Sequence, residues 1–206
     1  MDQIRIIVVE DDTDWMKTIT KFLSNEDDFL IVGTATSKAD SVKLAKSIDF
    51  DIILMDINLS GDNYDGINAA QEILEFRNKK ILMLTCINDV DVIKNSFTAG
   101  AVNYMSKDNY RELPGVIRNC LNDNSPLNVM LQEYARLKEQ EQLMLLSDAE
   151  KEVYGLIEKG HSRADLQKIL MKSENTIKKQ IKGIFKKLGV KSSQEAVRKV
   201  KRKGLK

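Results

Sequence analysis

The first 122 residues alternate short apolar runs with longer stretches in which apolar residues recur at helical spacing. The short runs predict five strands, at Ile4–Val9, Leu30–Ala35, Ile52–Met55, Ile81–Leu84 and Ala101–Met105. Helices are predicted between and after them, near residues 13–24, 37–48, 65–76, 89–99 and 109–122. Apolar strands that alternate with helices form a parallel sheet covered on both faces, so we expect an α/β flavodoxin-like (βα)5 domain over residues 1–122.

A linker helix is predicted next, over residues 123–146. Ser125 followed by Pro126 marks its start, because serine caps a helix and proline fits the first helical position. Apolar residues then recur at helical spacing, at Leu127, Met130, Leu131, Tyr134, Leu137, Met144 and Leu145. A stripe of this kind needs a surface to cover it, which is either the rest of this chain or a second copy in a dimer.

Residues 147–206 have a wholly helical pattern and are predicted to form an all-α domain. Four short helices are expected, near residues 148–158, 162–170, 173–187 and 193–201. Capping-box spacings mark several starts, as at Ser147 and Glu150, and Gly189 stands where the third helix should end in a left-handed residue. The chain therefore divides into an α/β domain, a linker helix and a compact helical domain.

Charge divides the chain at the same place. The net charge is +1, but residues 1–124 hold 21 acidic and 13 basic residues, whereas residues 125–206 hold 10 acidic and 19 basic ones. An acidic half suits a metal or phosphate site, and a basic half suits a polyanion. The only cysteines, Cys86 and Cys120, are too few for a disulfide scaffold or a four-cysteine zinc site, and no apolar run is long enough to span a membrane. We expect a cytoplasmic protein with no membrane partner.

Polar side chains follow four of the predicted strands where each strand ends. Glu10 and Asp11 follow the first strand, Asp56 the third, Thr85 the fourth and Lys107 the fifth. Because the carboxyl ends of parallel strands meet at one edge of a sheet, we expect these groups to lie together. Carboxylates about 4 Å apart repel by about 4 kcal/mol at an effective dielectric near 20, and Mg²⁺ with its preference for oxygen ligands relieves that repulsion. A carboxylate beside Mg²⁺ is also a possible nucleophile toward phosphorus.

Residues 1–122 resemble the receiver domain of two-component response regulators. The resemblance rests on four segments, Val-Val-Glu-Asp-Asp at 8–12, Ile-Leu-Met-Asp-Ile-Asn at 53–58, Leu-Thr-Cys at 84–86 and Ala-Val-Asn-Tyr-Met-Ser-Lys at 101–107. It implies that Asp56 accepts a phosphoryl group from a sensor histidine kinase. No sensor domain is recognised in this sequence, so the stimulus is expected to act on the kinase.

The resemblance also implies a role for each polar residue at the sheet edge. Mg²⁺ would be held by Glu10, Asp11, a side-chain oxygen of Asp56 and the backbone carbonyl of Asn58. Thr85 and Tyr104 match the switch pair, in which the hydroxyl moves toward the phosphoryl group and the aromatic ring swings inward. The Lys107 ammonium would neutralise charge on the phosphoryl group.

Two departures from the receiver pattern leave a second interpretation open. The loop over residues 58–66 is two residues longer than usual and lacks the customary proline, so residues 62–64 could approach the metal or reshape access to the phosphoacceptor. Cys86 replaces the usual alanine or glycine after the switch hydroxyl. The alternative is a phosphorylation-independent interaction protein or constitutive DNA binder. A dehalogenase-type phosphohydrolase is disfavoured, because Asn58 stands where that enzyme class has its acid/base aspartate, and we expect no enzyme activity.

The helix predicted at 173–187 has one cationic side and one apolar side. Lys178, Lys179 and Lys182 share the first, and isoleucines such as Ile177 and Ile181 share the second. Residues 172–206 contain 13 basic residues and only two acidic ones. A cationic helix of this kind fits the major groove of double-stranded DNA while its apolar side packs on a scaffold.

Residues 146–205 resemble the LuxR-type helix-turn-helix of the NarL/FixJ response regulators. The matching segments are Leu-Ser-Asp-Ala-Glu-Lys-Glu-Val at 146–153, Ser-Glu-Asn-Thr-Ile-Lys at 173–178 and Ile-Phe-Lys-Lys-Leu-Gly-Val at 184–190. The resemblance implies that Lys178, Lys179 and Lys182 face the groove, with Thr176 and Ser162 near phosphates. We expect a DNA-binding response regulator that is phosphorylated on Asp56 and forms a homodimer when active.

Overall fold

The computed structural model describes residues 3–59 and 64–201, except for the side chains of Lys138, Arg198 and Lys201. The described residues divide into two compact units, with the boundary between Gln132 and Glu133. This boundary falls inside the predicted linker helix. None of the described helices combines the length and the apolarity needed to cross a membrane.

The first unit is a five-stranded parallel sheet with the strand order β2-β1-β3-β4-β5. Its strands are β1 (Ile4–Val9), β2 (Phe29–Ala35), β3 (Ile52–Met55), β4 (Lys80–Thr85) and β5 (Asn103–Ser106). Its helices are α1 (Thr13–Leu23), α2 (Lys38–Ser47), α3 (Asp65–Phe76), α4 (Val90–Thr98) and α5 (Leu113–Leu121). The predicted flavodoxin-like fold is confirmed.

The sheet is buried on both faces. Ile6 and Val8 face one apolar cluster, which includes Ile117 of α5, whereas Ile7 and Val9 face the other. All four side chains are at most 2% exposed. Two covered faces explain why the strand has no alternation of apolar and polar residues.

The last helix of this unit begins differently from its prediction. Residues Lys107–Glu112 form a 3-10 helix, and the α-helix starts only at Leu113. The Ser106 side chain caps the 3-10 helix by accepting the Asp108 N–H, and Pro114 lies in the first turn of α5. Proline is favoured there because the first N–H groups of a helix have no partner within it.

The linker helix is α6 (Pro126–Met144), and the second unit continues with α7 (Asp148–Glu158), α8 (Arg163–Leu170), α9 (Glu174–Leu188) and α10 (Ser193–Lys201). Capping boxes open α7 and α8 as predicted. Gly189 ends α9 in the left-handed conformation, whereas α8 ends in that conformation at Met171, which is not a glycine. The apolar core of this unit includes Ile177 and Ile181 of α9.

The apolar stripe of α6 is largely exposed. Met130 and Met144 are 71% and 77% exposed, and Leu137 is 50% exposed. Asn128, near the start of the helix, is buried instead, and its Nδ2 donates to the Cys120 carbonyl at the end of α5 at 3.1 Å. The two alternatives for what covers the stripe, the rest of this chain or a second copy in a dimer, both stay predictions.

Candidate functional site

Three carboxylates meet where the strands β1 and β3 end. The two strands are neighbours, and the Asp56 N–H donates to the Val9 carbonyl at 2.9 Å, which places Asp56 beside Glu10 and Asp11. One oxygen from each of the three carboxylates lies within 4.8 Å of the others. Glu10 and Asp56 are buried and Asp11 is exposed. The arrangement offers hard oxygen ligands that are partly shielded and open to solvent on the Asp11 side.

Lys107 bridges the two buried carboxylates. Its Nζ lies 2.8 Å from Asp56 Oδ2 and 2.6 Å from Glu10 Oε2, and its side chain is 12% exposed. Burial lowers the pKa of Lys107, but hydrogen bonds to Asp56 and Glu10 raise the pKa by more, so the ammonium stays charged. Burial and the Asp56 charge raise the pKa of Glu10 to about 7 despite the opposing effect of Lys107. Burial and the neighbouring Asp56 charge therefore oppose ionisation of Glu10 more strongly than Lys107 favours it.

Thr85 and Tyr104 both contact the residue Ile87, in the loop that follows β4. The buried Thr85 Oγ1 accepts the Ile87 N–H at 3.3 Å, and the Tyr104 hydroxyl donates to the Ile87 carbonyl. Burial and the negative charges of Asp56 and Asp89 raise the pKa of Tyr104. A movement of this loop would therefore change the partners of both side chains at once.

The loop after β3 is closed by hydrogen bonds at its two described ends. Asp65 Oδ1 accepts the Leu59 N–H at 2.8 Å, and Asn58 Oδ1 accepts the Tyr64 N–H at 3.4 Å. Tyr64 is 39% exposed and has a left-handed backbone with φ 66°. Positions 62 and 63, which could approach the metal or reshape access to the phosphoacceptor, lie outside the described residues.

Two residues at this site were missed by sequence reasoning. The backbone of Gly66 packs against Asp56, and the Trp15 ring lies 5.9 Å from Lys107 Nζ. The Asp65-Gly66 pair at a predicted helix start was the available signal for the glycine, whereas Trp15 had none beyond its closeness to the acidic residues. The neighbouring Asp12 caps α1 by accepting the N–H groups of Asp14 and Trp15 rather than joining the carboxylate cluster.

The lysines predicted to bind DNA lie on the exposed side of α9. Lys178, Lys179 and Lys182 are exposed, and Lys178 Nζ pairs with Glu174 Oε1 at 2.7 Å. The opposite side of α9 is buried in the core of the second unit. The α9 lysines, as we call these three residues, thus form a cationic face on a helix that is anchored by its other side.

The two hydroxyl residues predicted near phosphates lie at helix starts. Ser162 caps α8, with its hydroxyl 2.6 Å from Asp165 Oδ2, and Thr176 lies in the first turn of α9 with its Oγ1 2.9 Å from Ser173 Oγ. Both residues are exposed. Helix starts present free N–H groups and a partial positive charge, which suits contact with phosphates.

Both halves of the chain match known protein families. Residues 6–118 match the response regulator receiver domain, and residues 144–200 match the bacterial regulatory proteins of the luxR family. The transcriptional regulatory protein DesR of Bacillus subtilis is 30% identical over 204 residues, which cover 98% of each chain. This chain belongs to the DNA-binding response regulators. The resemblance of each half is confirmed.

Other similar proteins extend over nearly the whole chain or over its receiver half. The transcriptional regulatory protein LiaR of Bacillus subtilis is 28% identical over 201 residues and 94% of each chain. The solved structure of the RcsB response regulator of Salmonella typhimurium covers 96% of this chain and 97% of its own, with a TM-score of 0.55 and 22% identity. The receiver domain of the putative response regulator NarL of Mycobacterium tuberculosis covers 59% of this chain with a TM-score of 0.55 and 20% identity. These two structures share the fold.

Proposed function

We propose that this response regulator is switched by phosphoryl transfer from a sensor histidine kinase to Asp56. The observation that carries the proposal is the Lys107 bridge, because it holds a buried Asp56 and a buried Glu10 together at the ends of neighbouring strands. Ile57 donates its N–H to Asp56 Oδ1 at 2.6 Å, while Oδ2 faces Lys107. Both oxygens of the carboxylate are therefore oriented by the fold.

The carboxylate cluster fits a magnesium ion. Its three oxygens lie close enough to share one ion, and the cluster has one more carboxylate than the two bridged by Lys107. The residues that would hold Mg²⁺ are Glu10, Asp11 and Asp56 through carboxylate oxygens and Asn58 through its backbone carbonyl. When bound, Mg²⁺ supplies positive charge that offsets the negative charge of the carboxylates and of the phosphoryl oxygens.

The residues of this chain then account for the transfer and for the switch. A carboxylate oxygen of Asp56 forms a bond to phosphorus as the bond to the kinase histidine breaks, which leaves an acyl phosphate on Asp56. The new group adds negative charge, so Lys107 gains a partner that competes with Glu10. The Thr85 hydroxyl is free to leave the Ile87 N–H and donate to a phosphoryl oxygen, and Tyr104 shares the same loop.

The output of the switch is proposed to be binding of a homodimer to double-stranded DNA. Two α9 helices of a dimer would enter successive major grooves one helical turn apart, with the α9 lysines toward the bases and with Ser162 and Thr176 toward phosphates. The proposed place of action is the cytoplasm, where the protein would meet both the phosphorylated histidine of the kinase and the chromosome.

The proposed switch is tested by mass and by DNA binding on the same sample. We expect one phosphoryl group on the intact protein after incubation with Mg²⁺ and acetyl phosphate, and none on Asp56→Asn. The phosphorylated sample should sediment as a dimer and bind DNA more tightly than the untreated one. A protein that dimerises and binds DNA equally in both samples would favour the phosphorylation-independent alternative.

A further inference from the structure

A buried carboxylate ties α7 to α9 in the second unit. The Glu150 side chain is 11% exposed, and its Oε2 accepts the Ser147 N–H at 2.8 Å and a hydrogen bond from Lys187 Nζ at 2.6 Å. Ser147 is the residue that caps α7, whereas Lys187 belongs to the last turn of α9. One carboxylate therefore holds the start of α7 and the end of α9 together.

Gly183 gives this carboxylate its space. A Cβ at Gly183 would lie within 3.0 Å of Glu150 Oε1, the end of a flexible side chain, so the carboxylate would have to move from its place between Ser147 and Lys187. Glycine is otherwise unfavourable inside a helix of 15 residues, because its backbone loses more freedom than that of alanine. Gly183 and Lys187 are one turn apart and form a single seat for Glu150, in which the glycine supplies room and the lysine supplies charge.

This seat lies on the flank of α9, between its buried side and its cationic side. The buried side is a column of four residues that pack in the core, Ile177, Ile181, Ile184 and Leu188. The hydrophobic effect is not directional, so burial of this column alone defines the rotation of the helix about its axis less strictly than a polar contact of fixed geometry does. The charge-assisted hydrogen bond from Lys187, whose side chain is 42% exposed, adds such a contact at one defined point on the flank.

We propose that Glu150 is a positioning residue for DNA recognition, whose carboxylate sets the rotation of α9 through Gly183 and Lys187. The proposal rests on the proposed contact between the α9 lysines and DNA. Base edges are recognised by hydrogen bonds of strict geometry, so a small rotation of α9 reduces selective binding first. Attraction to phosphates depends on charge and tolerates the rotation, so unselective binding persists.

The deciding substitution is Gly183→Ala in the full chain, with Gly155→Ala in α7 as the matched control. A Cβ at Gly155 meets nothing within 4 Å, so both changes add a methyl group to a helix and only one meets an obstacle. The probes are a duplex that the unmodified protein, treated with Mg²⁺ and acetyl phosphate, selects from a random-sequence pool, and a scrambled duplex of equal composition. We expect Gly183→Ala to lower the ratio of the affinity for the selected duplex to that for the scrambled duplex at least about tenfold. Gly155→Ala should keep this ratio. Cooperative unfolding of Gly183→Ala would show that the variant is folded.

A second substitution tests whether Glu150 is the cause. If the two residues act through one contact, Glu150→Ala with Gly183→Ala lowers the ratio no further than Glu150→Ala alone. Glu150→Gln keeps the shape of the side chain and loses the charge that attracts Lys187, so it should lower the ratio in a protein that still folds. This variant decides the matter if Gly183→Ala does not fold.

Three results would overturn the proposal. The first is an unchanged affinity ratio in folded Gly183→Ala or in folded Glu150→Gln. The second is a double variant whose loss is the product of the two single losses, because independent effects multiply. The third is an unmodified protein that selects no duplex from the pool. This result would contradict the proposed DNA contact of α9, on which the role of Glu150 rests. It differs from a failure of the Glu150 proposal alone because it is seen without any variant.

Discussion

Gly66 packs directly against the backbone carbonyl of Asp56. Its N–H donates to the Ile57 carbonyl at 2.9 Å, and a Cβ at Gly66 would overlap the Asp56 oxygen. The first turn of α3 therefore touches the proposed phosphoacceptor, and only glycine leaves room for this approach. The position of Asp56 depends on α3 as well as on its own strand.

Replacing Gly66 by alanine should displace Asp56 and slow its phosphorylation. The added methyl group must push α3 or the end of β3 away, and such overpacking costs about 1–3 kcal/mol of unfolding free energy. Gly115→Ala in α5 is the matched control, because a Cβ there meets nothing within 4 Å and alanine should stabilise the helix by up to about 1 kcal/mol. Urea unfolding and the rate of labelling by acetyl phosphate check both variants, and equal values for the two would contradict the prediction.

Removing the Lys107 ammonium should make the stability of the first unit depend more strongly on Mg²⁺ than the stability of the unmodified protein does. Lys107→Met leaves Glu10 and Asp56 buried without their cation, which we expect to cost about 3 kcal/mol when EDTA is present. Saturating Mg²⁺ should recover part of this loss, since an ion that binds only the folded site stabilises it. The measurement is urea unfolding followed by tryptophan emission, with and without Mg²⁺.

The control for this experiment is an exposed lysine in a surface pair. Lys94 Nζ lies 3.2 Å from Asp91 Oδ1, and the two side chains are 52% and 86% exposed. Lys94→Met should change the unfolding free energy by less than about 1 kcal/mol and keep the Mg²⁺ dependence of the unmodified protein. If Lys107→Met loses the same unfolding free energy in EDTA and in Mg²⁺, the lysine and the proposed metal site do not act on the same carboxylates.

Magnesium binding should be visible in the emission of Trp15, the only tryptophan of the chain. Its ring lies 5.9 Å from Lys107 Nζ, so a change of charge at the carboxylates alters the field at the indole. Asp11→Asn removes a ligand charge and should weaken Mg²⁺ binding at least about tenfold. In Asp12→Asn the change should be about threefold at most, because asparagine caps α1 as well as aspartate does. Equal affinities in the two variants would remove Asp11 from the ligands.

Much of the first unit could be predicted because both faces of its sheet are buried. A run such as Ile6–Val9, with every side chain at most 2% exposed, has no polar position to obscure it. The strand order then brings the ends of β1 and β3 side by side, so Glu10 and Asp56 could be placed together from the sequence alone.

The sequence could place residues at the same edge of the sheet, but the individual side-chain contacts between elements that are distant in the chain could not be predicted. The Lys107 bridge depends on hydrogen-bond distances that are set by the packing of three strand ends and a 3-10 helix. Glycine at position 183 is unfavourable by helix propensity alone. It leaves room for the side chain of Glu150, which belongs to another helix. Neither the Lys107 bridge nor the contact between Gly183 and Glu150 can be predicted from local propensity, because each forms only when the elements pack together.

The pair Glu150–Lys187 should make the stability of the second unit depend on pH. Burial raises the pKa of Glu150, but hydrogen bonds from Lys187 and Ser147 lower it by more, so the folded pKa lies below its ordinary value. The stabilisation is therefore complete above the pKa of an unfolded glutamate, about 4.3, and is lost as the pH falls through the folded pKa. Hydrogen exchange of the α7 and α9 amides, compared with Glu150→Gln, should give a difference that is constant above about pH 5 and shrinks below it. A difference that grows as the pH falls would contradict the sign.

The salt dependence of DNA binding should show whether an α9 lysine contacts a phosphate or a base. Lys179→Gln and Lys43→Gln remove the same charge from exposed helix positions in different units. A lost phosphate contact makes the slope of log affinity against log salt less negative by about 0.9, whereas a lost base contact lowers the preference for the selected duplex and leaves the slope nearly unchanged. Lys43→Gln should alter neither quantity. Fluorescence anisotropy with the selected and scrambled duplexes at several salt concentrations measures both, and Lys179 leaves the DNA interface if the two variants behave alike.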